Sequence, residues 1–142
     1  MREYKLVDIA VGLTESFSRT ITLQMENVFR ELSGDNNPLH RDDEFAHSID
    51  GNKFPGHVVF GMLTAAFYST LAGMYLPGKY SLIHSLENLS FLHPVFAGDE
   101  LTVTGKVVDK DDNLRLIRIK ASIKNQQQKT VSKAVMKTMV LQ

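Results

Sequence analysis

The sequence predicts an α+β fold in which an antiparallel sheet wraps around one long central helix. The first sign is the uncharged stretch of residues 58–76, which has the composition of a buried helix. The second is that the segments after it alternate apolar and polar side chains and are separated by turn residues, as in neighbouring antiparallel strands. With 142 residues, 43% of them hydrophobic, the chain is the size of one domain, so we predict a single domain over residues 1–142.

The first predicted elements are a short strand and an amphipathic helix. Residues 16–21 have the composition of the strand. The helix follows, with Thr22 as its N-cap and Gly34 as a left-handed C-cap. Its apolar side chains recur at the spacing of one helix face: Met25, Val28, Phe29 and Leu32.

The central uncharged stretch, residues 58–76, is close to the length that crosses a bilayer. Four features argue against a membrane span: polar side chains in the middle of the stretch, its two glycines, the lack of flanking basic clusters and the absence of a second candidate span in the chain. We therefore predict a helix that is apolar all round because the sheet of its own chain covers most of it.

The remaining strands follow the Pro77-Gly78 break. The best alternation is in residues 114–124, where Ile117, Ile119 and Ile123 share one face. Charged and amide-rich turns are expected at residues 109–113 and 125–128. The predicted strands are residues 80–91, 100–108, 114–124 and 129–141.

Charge and composition restrict the partners. The 16 basic and 16 acidic side chains cancel, so no overall field attracts nucleic acid or an anionic membrane, and we expect small molecules or protein instead. The absence of cysteine excludes disulfides, thiolate metal sites and a thiol nucleophile, and it fits a reducing compartment. Because the N-terminus also lacks a signal-peptide pattern, we predict a cytoplasmic protein.

The polar stretch SGDNNPLH, residues 33–40, directly follows the first predicted helix. It can be a helix stop, in which Gly34 caps the helix and Asp35 forms an Asx-turn with its own backbone. It can also be a site, because Asp35 and His40 lie on either side of a rigid turn and can converge on one water molecule. The octapeptide alone leaves both interpretations open.

Three blocks of the sequence carry a resemblance to a known family: FRELSGDNNPLHRDDEFA, GHVVFGMLTAAFYSTLAGMYLPG and LSFLHPVFAGDELTVTGKV. In this order they resemble the MaoC-like hydratase family, whose (R)-specific enoyl-CoA hydratases have a hot-dog fold. The resemblance implies that fold here, and hydration of trans-2-enoyl thioesters to 3-hydroxyacyl thioesters or the reverse dehydration. It also implies a homodimer, and a substrate carried on CoA or acyl carrier protein with no separate cofactor.

The resemblance assigns roles to individual residues. It implies that Asp35 and His40 hold the catalytic water, and that Asn37 braces their turn or orients a catalytic side chain. Gly61 would donate its backbone N–H to the substrate oxyanion, a role that a glycine at a helix start also suits on physical grounds, although close packing is an equal alternative. Ser69 would support the site, or else be a buried hydroxyl bonded to its own helix.

Two features depart from the family pattern. Phe60 occupies a position at which family members often have a histidine, and His57 lies three residues earlier. Residues 48–56 form a slightly longer segment than is usual in the family, so the loop beside the substrate entrance is expected to differ from the family's. The other histidines show no metal-ligand spacing, so no metal site is predicted at His47, His84 or His93.

Two other functions stay open. A hot-dog thioesterase would direct water onto the carbonyl and release free thiol, but the DxNPxH turn argues against it. A non-catalytic module that binds acyl thioesters would not need both Asp35 and His40. The carrier is expected to be CoA by resemblance, since the candidate cations for a carrier-protein surface are too scattered: Arg30, Arg41, Lys53 and Lys79.

Overall fold

Five antiparallel strands form one sheet in the order β1-β3-β4-β5-β2. The structure is a computed structural model and describes residues 1–142. A central helix packs on the sheet, as predicted, and two other helices lie between the first strand and this helix. The strands are β1 Thr14–Thr20, β2 Ser81–Phe91, β3 Glu100–Asp111, β4 Leu116–Lys124 and β5 Thr130–Val140, and the helices are α1 Leu23–Ser33, α2 Asp43–Ser48 and α3 Gly61–Thr70.

Both predicted caps of α1 are confirmed. The Oγ1 atom of Thr22 accepts a hydrogen bond from the Met25 N–H at 3.2 Å, and Gly34 adopts the left-handed conformation with φ 73°. The apolar stripe is only partly covered, however, because Leu32 is 82% exposed. The one fully buried residue of α1 is instead a charged one, Glu26.

The central helix is shorter than predicted. Residues 58–60 are not helical, α3 begins at Gly61, and after Thr70 the chain continues as a π-helical segment, Leu71–Tyr75. The prediction that the chain's own sheet covers most of α3 is wrong for one face, since Met62 is 58% exposed and Ala66 and Ser69 are exposed as well. The sheet lies on one side of the helix and leaves this face uncovered. No helix of the chain has both the length and the apolar character to span a membrane.

The strands after α3 follow the predicted order, with one change of length. The alternation in β4 is confirmed, because Ile117, Ile119 and Ile123 are all fully buried. The turn expected at residues 109–113 was placed too early, since β3 runs on to Asp111. An irregularity of register after Val107 lets these charged residues continue the ladder with β4.

Two backbone contacts place the start of α3. The Val59 N–H donates to the Val95 carbonyl at 2.8 Å, and the Val58 N–H donates to the Leu39 carbonyl at 2.9 Å. The first bond ties the segment before α3 to the loop after β2, and the second ties it to the polar turn after α1. Three distant parts of the sequence therefore meet at the N-terminus of α3.

Candidate active site

The three residues predicted to be catalytic line one cavity. Asp35, His40 and Gly61 surround a space of about 340 Å³ whose other walls are largely aromatic. A second cavity of about 320 Å³ shares His40 and Gly61 and continues past Thr64 toward His93. The structure thus brings together a carboxylate, an imidazole and the start of a helix beside an apolar space.

The turn that carries Asp35 is built from successive side-chain-to-backbone hydrogen bonds. The Asn37 N–H donates to Oδ1 of Asp35 at 3.0 Å, and the Leu39 N–H donates to Oδ1 of Asn37 at 3.0 Å. These are the Asx-turns of the helix-stop interpretation, and they lie at the cavity wall. The turn engages one carboxylate oxygen of Asp35 and leaves Oδ2 for a ligand, while Asn37 braces the turn.

The imidazole of His40 is held in one orientation. Its Nδ1 atom lies 2.6 Å from the carbonyl oxygen of Val58. A carbonyl can only accept, so Nδ1 carries the proton and Nε2 of the neutral ring has a free lone pair. The guanidinium of Arg30 donates to the His40 carbonyl at 3.1 Å and fixes the backbone of the same residue.

Phe60 forms an apolar floor beneath this imidazole. Its ring centroid lies 4.4 Å from that of His40 and 5.0 Å from that of Phe29. The Arg30 guanidinium lies 5.8 Å from the Phe60 ring. A histidine, the residue often found here in the family, would offer polar atoms in this place, whereas Phe60 offers packing alone. His57 does not replace it, because its ring binds two carboxylates elsewhere.

Gly61 meets the geometric conditions of both roles considered for it. As the first residue of α3, its N–H has no acceptor within the helix. A Cβ added to it would lie 3.2 Å from the ring of Phe91, which makes the position too tight for a side chain without movement of that ring. Close packing at the end of β2 and a helix-start N–H without a helical acceptor therefore occur at the same glycine.

Ser69 is not brought to either cavity. It lies on the exposed face of α3, more than two turns beyond Gly61. At about 1.5 Å per residue this places it about 12 Å further along the helix. Within one chain Ser69 therefore does not touch Asp35 or His40, and it is not the buried hydroxyl of the alternative interpretation either.

His93 lines the second cavity, which sequence reasoning did not anticipate. Its lack of metal-ligand spacing in the sequence gives no reason to assign it to a site. The signal that could have found it is its place within the third family-like block, LSFLHPVFAGDELTVTGKV. Phe91 and Thr64 also line this cavity and were not predicted from the sequence.

A cluster of charged residues lies next to the site. Nε2 of His57 is 3.1 Å from Oε1 of Glu26, and Nδ1 of His57 is 2.5 Å from Oδ1 of Asp43. Burial lowers the pKa of His57, but the hydrogen bonds to Asp43 and Glu26 outweigh that effect and raise the pKa above its ordinary value. Hydrogen bonds from the backbone and then the ring of His57 lower the pKa of Asp43.

Two known enzymes are similar in sequence to this chain. The (R)-specific enoyl-CoA hydratase of Aeromonas caviae is 40% identical over 99 residues, which cover 70% of this chain and 71% of that protein. The 3-hydroxybutyryl-CoA dehydratase of Methylorubrum extorquens is 31% identical over 112 residues, which cover 79% of this chain and 69% of that protein.

A solved structure and a family model extend the comparison to almost the whole chain. The structure of the (R)-hydratase from A. caviae superimposes with a TM-score of 0.85 at 31% sequence identity, covering 93% of this chain and 97% of that one. The fold is accordingly the hot-dog fold that the resemblance implied. The model of the MaoC-like domain matches residues 10–135. The chain belongs to the MaoC-like domain family.

Proposed function

We propose that the chain is a hydro-lyase that adds water to a trans-2-enoyl thioester with (R) specificity, or runs the reverse dehydration. The observation that carries the proposal is that Asp35, His40 and Gly61 line one cavity with apolar walls. The relatives that match this chain are named as hydratases and dehydratases of this type, which supports the same reaction.

The first half of the reaction is attack of water on C3 of the enoyl group. Nε2 of His40 accepts a proton from the water, because Nδ1 is already bonded to a carbonyl. Oδ2 of Asp35 accepts the second hydrogen bond of that water and orients it. The new C3–O bond forms as the C2–C3 π bond breaks, and its electron pair moves toward the thioester carbonyl.

The second half is stabilisation of the enolate and protonation of C2. Negative charge develops on the thioester oxygen, where the Gly61 N–H and the positive end of the α3 dipole stabilise it. The proton removed from water is then delivered to C2 from the Asp35–His40 pair. All atoms of water appear in the product, so the step needs no redox partner.

The substrate is proposed to be a CoA thioester. The cavity walls beside the catalytic pair include Phe29, Phe60 and Phe91, whose rings suit an acyl group. Relatives at 40% and 31% identity are named for CoA substrates and one at 30% for an acyl-carrier-protein substrate, so the names favour CoA as the carrier. In this proposal no cofactor accompanies the CoA of the substrate.

We also propose a homodimer in the cytoplasm. The uncovered face of α3, with Met62 and Ala66, and the exposed Val28 and Leu32 of α1 give one chain a large apolar surface without a partner. β1 and β2 are the edge strands of the sheet and offer unpaired backbone groups. A second copy of the chain that covers these features accounts for both the exposed apolar surface and the open edges of the sheet. The cysteine-free composition favours a reducing compartment such as the cytoplasm.

One assay tests the proposed reaction. The protein is incubated with a short trans-2-enoyl-CoA while the absorbance of the conjugated double bond and the amount of free thiol are both followed. Loss of the double bond without thiol release is expected. Thiol release would identify a thioesterase, and no change in either signal would identify a binding module. In the reverse direction only the (R)-3-hydroxyacyl-CoA should be consumed.

A further inference from the structure

The charged cluster beside the active site joins three separate elements. Glu26 comes from the first turn of α1, Asp43 is the first residue of α2, and His57 lies in the segment before α3. Glu26 is 1% exposed, and both of its carboxylate oxygens are within 3.3 Å of Nε2 of His57. The backbone N–H of His57 also donates to Oδ1 of Asp43 at 2.8 Å. The cluster thus holds both the ring and the main chain of His57.

The cluster has the hydrogen-bonding pattern of an imidazolium between two carboxylates. Each ring nitrogen of His57 faces a carboxylate oxygen, and ionised carboxylates only accept hydrogen bonds, so both nitrogens are donors. A buried carboxylate is costly unless it is paired. His57 is the hydrogen-bond partner of Glu26, and the raised pKa of His57 agrees with a charged ring.

The residue after His57 connects this cluster to the catalytic imidazole. Val58 accepts from Nδ1 of His40 through its carbonyl at 2.6 Å and donates through its N–H to the Leu39 carbonyl at 2.9 Å. The position of the Val58 carbonyl therefore decides which nitrogen of His40 keeps its proton. The residue directly before Val58 is His57, whose ring and main chain the cluster holds.

We propose that the Glu26–His57–Asp43 cluster is a positioning triad for the catalytic imidazole. The triad holds the Val58 carbonyl against Nδ1 of His40, so that Nε2 stays unprotonated and directed into the cavity. Its effect on turnover rests on the hydratase function proposed above. Its effect on the tautomer of His40 does not, and can be measured without substrate.

A merely structural role would predict a different result. If the cluster only tied α1 and α2 to the body of the protein, its loss would lower the melting temperature and leave the His40 ring in the same state in the protein that remains folded. A positioning role changes the ring itself. The decisive measurement is therefore the tautomer of His40.

The experiment compares His57→Gln, Asp43→Asn and the double variant E26Q/H57Q with the unaltered protein. The double variant leaves no buried charge, so it serves if His57→Gln alone does not fold. Asp43→Asn changes a side chain that is 71% exposed and should fold in any case. His47→Gln is the matched control, because His47 also bonds a backbone carbonyl through Nδ1, at 3.1 Å, but lies outside the cluster.

Ring ¹⁵N chemical shifts report the tautomer, and a spectrum of His40→Gln identifies the signals of His40. The unaltered protein and His47→Gln should show His40 with its proton on Nδ1. The triad variants should show a mixture with the Nε2–H form. Their kcat should fall by about tenfold to a hundredfold, with little change in KM, as expected when a reacting group is misplaced.

Two results would overturn the proposal. One is that His40 keeps its Nδ1–H tautomer in every triad variant. The other is that kcat at a temperature where all variants are folded equals that of the unaltered protein. If the unaltered protein itself has no hydratase activity, the proposed function fails, and the tautomer result still decides whether the triad positions His40.

Discussion

The Val58 carbonyl accepts a hydrogen bond from Nδ1 of His40 at 2.6 Å. This bond joins the polar turn after α1 to the segment that leads into α3, and it leaves Nε2 as the ring nitrogen that can accept a proton. The proposed water-activating groups and the proposed oxyanion donor are thereby connected through the two residues between Val58 and the helix start, Val59 and Phe60. The predictions below concern the consequences of that connection.

Replacement of Asp35 by Asn or of His40 by Gln should abolish most activity while the fold is kept. Asn retains an oxygen that can accept from the Asn37 N–H, so the turn should persist. General acid–base groups contribute about 10²–10⁴-fold in rate, so each variant should lose at least about 10²-fold in kcat. Steady-state kinetics and circular dichroism measure the two effects.

The double variant of Asp35 and His40 should be little worse than either single variant, because two groups that handle one water act as a unit. Glu31→Gln is the control, since it removes an exposed charge from the last turns of α1 without touching the cavity. Additive losses would assign Asp35 and His40 to separate steps, and normal turnover in either single variant would make SGDNNPLH a helix stop.

Gly61→Val should lower turnover far more than thermal stability if the N–H serves the enolate. The structure adds that even the Cβ of alanine would press on the Phe91 ring at 3.2 Å, a form of overpacking that costs about 1–3 kcal/mol. A second variant, G61A/F91L, removes that contact and should recover the melting temperature, while its kcat should stay well below that of F91L alone, the reference for the loss of the Phe91 ring. Equal recovery of both would show that Gly61 serves packing alone.

The stability contributed by the His57 cluster should decrease at alkaline pH. Because the folded-state pKa of His57 is raised, its contribution is fully present below the unfolded value of about 6.5 and is lost as pH rises through the folded value. The pKa of Asp43 is lowered, so its contribution is present above about 3.9 and is lost as pH falls through its folded value.

Urea unfolding at several pH values tests this dependence. The difference in unfolding free energy between the unaltered protein and E26Q/H57Q should be largest between about pH 4 and 6.5 and should shrink toward pH 9. The difference in unfolding free energy between the unaltered protein and His47→Gln should show no such dependence on pH. A difference that grows with pH would contradict the charged state assigned to His57.

Light scattering at micromolar concentration should give a mass of twice 16.0 kDa. Ala66→Glu places a charge in the uncovered face of α3, so it should shift the mass toward the monomer. Val7→Glu is the matched control on an exposed apolar residue away from α3. A clean monomer for the unaltered protein would leave the apolar surfaces of α1 and α3 without the partner proposed here.

The features predicted well from the sequence obey local rules. The caps of α1 at Thr22 and Gly34 depend on the residues next to them, and the alternation in β4 is a period-two pattern within one segment. The turn that holds Asp35 and His40 is likewise local. The Asx-turns of this stretch follow from its own residues, whereas its proposed chemistry depends on the resemblance carried by the later blocks.

The features that were missed depend on contacts between distant segments. His57 is paired with Glu26 at a separation of 31 residues and with Asp43 at a separation of 14, and no spacing rule links them. The coverage of α3 was overestimated because hydrophobicity shows that a face needs burial without showing that its own chain supplies the cover. The exposure of Met62 and Ser69 was missed for the same reason.

The backbone N–H and carbonyl of Val58 are both hydrogen-bonded, and this affects how the site can change in evolution. Both bonds go to the turn at Leu39 and His40, and only Val59 and Phe60 lie between Val58 and Gly61. Residues 48–56, the segment that is longer than in the family pattern, take part in neither bond and line neither cavity. A change in the length of this segment should therefore leave the spacing between the proposed base and the proposed oxyanion donor unchanged.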